Sequence, residues 1–145
     1  MVAHLLREAG EGCTAFLGGI SVNYDTNFWS NANNIVVIEA DEYDRSFLKL
    51  DPSIAVITAT DADHLDIYGT VEAMREAFSQ FASNVQSDGY LITKFGVAGL
   101  NPASVNHYRY SLNNPSADIY ATNVVIKNGG YEYDIKGPGY TLEGL

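Results

Sequence analysis

Cysteine is almost missing from this sequence: Cys13 is the only one among 145 residues, which excludes an intrachain disulfide and any thiolate cage for a metal. A reducing compartment suits such a chain. Basic residues are scarce too, 8 Lys and Arg against 18 Asp and Glu, for a formal charge of −10. A general DNA- or RNA-binding surface needs a basic face to meet phosphate, so nucleic acid is set aside as a partner. No stretch approaches the ~20 apolar residues of a membrane span. The opening "MVAHLLREAGEG" has neither a basic n-region nor an apolar run of export length. The expectation is a cytoplasmic protein with no membrane partner, unless a leader precedes Met1.

Several chemical signatures are also missing. There is no Gly-x-Ser-x-Gly elbow, and Cys13 lies in an apolar run with no evident base, so nucleophilic hydrolysis has little support. Neither G-x-x-x-x-G-K-[ST] nor G-x-G-x-x-G occurs, and with them goes the glycine-rich cradle of N–H groups that holds nucleotide phosphates.

What is present argues for a folded α/β domain. Apolar residues make up 46% and charged residues 18%, and the length suits one domain. "VAHLLREAG" carries Val2, Leu5, Leu6 and Ala9 at helical spacing and stops at Gly10. No capping residue precedes it, which suggests that Met1 interrupts a longer natural chain. "CTAFLGG" reads as a short buried strand, and residues 20–34 as a polar loop with aromatic insertions. The runs Ile35 to Ile38 and Ile54 to Ile57 lack polar alternation, the pattern of strands covered on both faces in a parallel sheet. From Thr70 to Val85 the positions Val71, Met74, Phe78, Phe81, Ala82 and Val85 mark a helix, with Thr70 as its cap. "GYLITKF" is another strand, and residues 122–136 form a hairpin around Asn128, Gly129 and Gly130. The expected division is an α/β core over 1–94 and a β-rich annex over 95–145.

Both apolar runs end in acid. Glu39, Asp41, Glu42 and Asp44 follow the first, and Asp61, Asp63, His64 and Asp66 follow the second. Ligands of open α/β sheets gather at the carboxyl ends of strands, so if the two strands are neighbours the clusters share one rim. Carboxylates held close repel one another, and solvent, a basic partner, partial protonation or a bound cation relieves them. Hard oxygen ligands favour magnesium or manganese. The plainer reading makes these residues solvated turn formers, with Asp41 and Asp44 turning the chain and Arg45 pairing with a carboxylate. His64 stands between Asp63 and Asp66, and an adjacent carboxylate can orient an imidazole and raise its basicity. His4, in a helical segment, and His107, in a late polar stretch, read as structural.

"FLGGISVNYDTN", "EADEYDRSFLKL" and "DADHLDIYG" together resemble the central domain of the Mur ligases, and the likeness runs along essentially the whole chain. The resemblance implies a P-loop NTPase-like α/β fold with a mainly parallel sheet flanked by helices and a smaller antiparallel part. It implies an ATP-dependent, amide-forming reaction of peptidoglycan precursor synthesis. The ATP γ-phosphate passes to the lactyl carboxylate of UDP-N-acetylmuramate, and the amine of L-alanine attacks the acyl phosphate. By the same resemblance Glu39 holds the magnesium between the nucleotide phosphates and His64 serves a second metal, with Asp63 behind it. Glu42 faces substrate or a metal water, and Gly18, Gly19 and Asn27 match the loop that approaches the UDP-sugar. Ala59 stands where the family commonly has asparagine, so by the resemblance that polar contact is either absent or supplied by Asp61. The family's phosphate loop should lie just before Met1, and without it the isolated chain is expected to be inactive.

Three other readings stay open: a related ligase that recycles peptides onto UDP-N-acetylmuramate, a metal-dependent glycosyltransferase using "DAD" at 61–63 to hold manganese and a nucleotide sugar, and a non-catalytic acidic module.

Overall fold

The computed structural model describes residues 1–100, 102 and 106–145. The chain divides after Phe47 into two compact units, Met1–Phe47 and Leu48–Leu145.

The first unit is a three-stranded sheet with one helix. Helix α1 (Val2–Glu8) ends where Gly10 takes a φ of 81°, a left-handed conformation that costs glycine nothing. Strand β1 (Thr14–Ser21) is central, antiparallel to β2 (Thr26–Trp29) and parallel to β3 (Val36–Ile38). Ala3, Cys13 and Ala15 form the buried core, with Leu6, Leu17, Trp29 and Val37 packed around it. Cys13 is a free thiol buried in this core.

Strand β2 corrects the expectation of a loop over residues 20–34. "TNFW" is too short and too polar at its start to show a period, and it exists because β1 offers it a partner. Aromatic contacts then fix the hairpin to α1: Tyr24 meets Trp29 edge to face, the Arg7 guanidinium lies 4.3 Å from the centre of the Tyr24 ring, and His4 Nδ1 is 2.6 Å from the Tyr24 hydroxyl.

The second unit holds a six-stranded sheet in the order β4-β5-β6-β7-β8-β9, comprising Ile54–Ile57, Tyr90–Lys94, Asn106–Ser111, Ile119–Lys127, Gly130–Gly137 and Tyr140–Leu142. The pairs from β4 to β7 are parallel and the last two are antiparallel. Parallel neighbours require a crossover, and the one between β4 and β5 carries helices α2 (Leu65–Tyr68) and α3 (Val71–Ser83). The Thr70 hydroxyl caps α3 by accepting the Ala73 N–H at 3.1 Å, while Met74, Ala77, Phe81 and Ala82 supply its buried face. At the expected hairpin, Asn128 and Gly129 both have positive φ, the two-residue turn that matches strand twist. The expected β-rich annex is continuous with the core sheet, since β5 and β6 are hydrogen-bonded neighbours on either side of position 95. Among the described residues no helix is long and apolar enough to cross a membrane.

Two expectations about β3 and β4 need correction. They are not neighbours: β3 is an end strand of one sheet and β4 an end strand of the other, because β3 takes β1 as its parallel partner and β4 takes β5. Nor are they covered on both faces. In β4, Ala55 and Ile57 are buried, whereas Ile54 and Val56 are 61% and 51% exposed. Burial does alternate with period two, but the outward residues are apolar as well, so the letters conceal the period. Val36 and Ile38 of β3 are likewise exposed.

Between β5 and β6, the buried Thr93 hydroxyl lies 2.8 Å from His107 Nε2. Desolvation lowers the His107 pKa below its ordinary 6.5, Arg109 lowers it further, and Asp118 opposes both. The folded state therefore refuses a proton that the unfolded state accepts. This contribution to stability is fully present above about pH 6.5 and declines as pH falls from there towards the lower folded value. Asp118, depressed chiefly by its hydrogen bond from the Arg109 side chain, adds a second loss below its ordinary 3.8. Urea titrations at stepped pH should show stability falling between neutral and mildly acid solution. The loss should be smaller in His107→Gln, and a constant difference between the two proteins across that range would refute the account.

Candidate functional site

Each candidate carboxylate stands at or just beyond the carboxyl end of a strand. Asp41 Oδ1 accepts the Tyr43 N–H at 2.9 Å and Asp44 Oδ1 accepts the Ser46 N–H at 2.8 Å. Both are turns in which a short acidic side chain bonds the backbone two residues on, as the plainer reading of the sequence held. Arg45 lies within the second of these turns at a φ of 59°, its N–H donating to the Glu42 carbonyl. Glu42 is half-buried in this turn.

Glu39 differs. Its N–H donates to the Phe16 carbonyl at 2.9 Å, which continues the β1–β3 ladder one residue beyond β3. In a parallel ladder the next rung would run from the Gly18 N–H to the Glu39 main-chain carbonyl. Instead, Glu39 Oε2 accepts the Gly18 N–H, at 3.1 Å. The exposed carboxylate is thus seated on the central strand, 21 residues away in sequence. Asn27, on β2, lines an open depression with Phe16, Leu17 and Phe28. Phe16 and Phe28 pair there with ring centres 5.0 Å apart.

In the second unit His64 immediately precedes α2, at φ 51° and ψ 38°. This left-handed conformation costs a residue with a β-carbon roughly 1–2 kcal/mol, and such strain persists where the surroundings or a function require it. Asp63 holds the turn, its Oδ1 accepting the His64 N–H at 2.8 Å. Its other oxygen lies 3.7 Å from His64 Nε2, beyond hydrogen-bond length, so Asp63 braces the main chain rather than the imidazole. Asp61 is exposed between β4 and α2, Asp66 lies in the first turn of α2, and Gly69 ends that helix at φ 76°.

The residues present fit a hard divalent cation modestly. A carboxylate offers about four lone-pair sites, and the Gly18 N–H takes one of those on Glu39. Among the described residues no group of three or more His, Cys, Asp or Glu converges on one position. A magnesium ion held here would draw most of its ligands from phosphate and water, its usual habit.

An α/β domain with a mainly parallel sheet is the class of protein that this fold defines. The chain belongs to the Mur ligase family, matching its middle domain over residues 1–143. Over its whole length it is 44% identical, across 149 aligned positions, to the UDP-N-acetylmuramate–L-alanine ligase of Porphyromonas gingivalis strain W83, of which it covers 32%. The chain therefore spans about a third of the length of this curated relative. The UDP-N-acetylmuramate:L-alanyl-gamma-D-glutamyl-meso-diaminopimelate ligase of Neisseria meningitides shares the fold, with a TM-score of 0.77 at 21% identity, over 97% of this chain and 48% of that one. So does the MurF ligase of Thermotoga maritima, solved in complex with ADP, with a TM-score of 0.66 at 15% identity, over 99% of this chain and 36% of that one.

The strain at His64 generates a prediction. Glycine adopts the same backbone freely, whereas alanine keeps the strain and both lose the imidazole, so His64→Gly should be more stable than His64→Ala by up to about 1 kcal/mol in thermal unfolding. An alanine variant at least as stable as the glycine variant would show that the turn carries no strain.

Proposed function

We propose that this chain is part of an ATP-dependent, carbon–nitrogen bond-forming ligase that joins L-alanine to UDP-N-acetylmuramate in peptidoglycan precursor synthesis. The 44% identity to a UDP-N-acetylmuramate–L-alanine ligase over the full length of the chain carries this reading. Glu39 and His64 are its metal-facing residues. Glu39 offers carboxylate oxygen from a position fixed by the sheet, and His64 offers imidazole from a strained turn at the start of α2. Bound magnesium would neutralise nucleotide phosphate charge as two anions approach. Gly19, Asn27 and Glu42 are proposed to face the sugar nucleotide, and Asp63 to hold His64 in place.

The experiment uses the intact parent protein, with ADP release measured in the presence of UDP-N-acetylmuramate and L-alanine. Metal neutralisation of phosphate is worth several kcal/mol, and each 1.4 kcal/mol is tenfold in rate. Glu39→Gln and His64→Ala should therefore each lower turnover by about a hundredfold or more. If both variants keep the parent's turnover and metal dependence, the site assignment fails. Replacing L-alanine by the tripeptide distinguishes the peptide-recycling ligase, and UDP release without ATP would mark a glycosyltransferase.

The 145 residues by themselves contain no phosphate loop and no Gly-Lys-Thr to receive a triphosphate. Isothermal titration of the isolated chain with ATP and magnesium should show no tight, stoichiometric binding. A submicromolar, one-to-one isotherm would show that the remaining residues suffice.

A further inference from the structure

Gly18 and Gly19 stand side by side in β1, yet they differ in what a side chain there would meet. A β-carbon on Gly19 would find nothing within 4 Å. One on Gly18 would lie 3.4 Å from both Cδ and Oε1 of Glu39 and 3.7 Å from Oε2. The Glu39 carboxylate therefore lies across the bare face of Gly18 while one of its oxygens accepts that residue's N–H. Neither glycine has a positive φ, so backbone conformation does not explain the choice of residue at position 18.

We propose that Gly18 is a positioning residue for Glu39, in two ways. Its N–H pins Oε2 in place of a main-chain rung, and its missing side chain leaves the carboxylate room to lie flat with its other oxygen open to a divalent cation. This rests on the reading of Glu39 as a metal ligand and replaces the expectation that Gly18 contacts the sugar nucleotide. The N–H is well suited to the task. It makes a charge-assisted hydrogen bond to the anion without adding a cation that would repel the metal. It also belongs to the central strand of its sheet, two residues beyond Phe16, which is paired with both neighbouring strands, so the carboxylate is held close to that ladder. An alanine β-carbon at position 18 would meet the carboxylate at ordinary van der Waals contact, whereas the further carbons of a branched residue would crowd it.

Two measurements test the proposal, and they fail separately. In the isotopically labelled 145-residue chain, the Gly18 amide should be protected from exchange with solvent, and that protection should be lost in Glu39→Ala, which removes the acceptor. A Gly18 amide that exchanges freely, or that is equally protected in Glu39→Ala, overturns the hydrogen bond without requiring any variant of Gly18 to fold.

In the intact parent protein, Gly18→Val should raise the magnesium concentration needed for half-maximal turnover by about tenfold or more, with Gly18→Ala lying between it and the parent. The KM for UDP-N-acetylmuramate should move little, which separates positioning from a contact with substrate. If Glu39→Gln shifts the magnesium requirement and Gly18→Val does not, the positioning role alone is overturned. If Glu39→Gln leaves the requirement unchanged, the metal-ligand reading falls and the positioning role with it. A rise confined to the KM for the sugar nucleotide in Gly18→Val would return Gly18 to substrate binding.

Discussion

Negative charge gathered where strands end must be answered by something positive, and in this protein main-chain N–H groups supply the answer. Asp41, Asp44, Asp63 and Glu39 each accept an N–H, at 2.9, 2.8, 2.8 and 3.1 Å. A hydrogen bond to a charged acceptor contributes roughly 1.5–3 kcal/mol. That is comparable with the repulsion of two exposed carboxylates several ångströms apart at an effective dielectric of about 20. These bonds offset part of the repulsion within each cluster. Three of the four bonds close within two residues, whereas Glu39 reaches 21 residues to another strand. That difference separates turn-forming acids from one aimed by the sheet.

The sheets make this aim possible because β1 outlasts β3. Strand β3 stops at Ile38 while β1 continues to Ser21, so the N–H of Gly18 projects beyond the last rung that main chain alone provides. The contrast with His64 is instructive. It stands in a left-handed turn braced by its neighbour Asp63. Two residues of similar expected duty are thus held by different means: one by ladder geometry, the other by a local conformation that costs stability.

Exposed apolar residues on β3 and β4 belong to the same picture. Val36, Ile38, Ile54 and Val56 line the end strand of one sheet or the other. Open apolar edges are a liability for a free-standing chain, and natural proteins protect them.

Much of the fold was legible because its signals are local. The spacing of Val71, Met74, Phe78 and Phe81, the Thr70 cap, the Asn128-Gly129 turn and the Asx turns at Asp41 and Asp44 each depend on residues a few positions apart, where side-chain chemistry fixes backbone geometry directly. The motifs around Glu39 and His64 likewise placed the chain in its family. The sequence could not show that "TNFW" is a strand, that β3 and β4 belong to different sheets, or that the outward residues of β4 are exposed, because pairing and burial depend on partners far along the chain. Nor could it distinguish Gly18 from Gly19. The letters are identical, and only folding brings the Glu39 carboxylate over one of them, since a hydrogen bond spanning two strands is a property of their register.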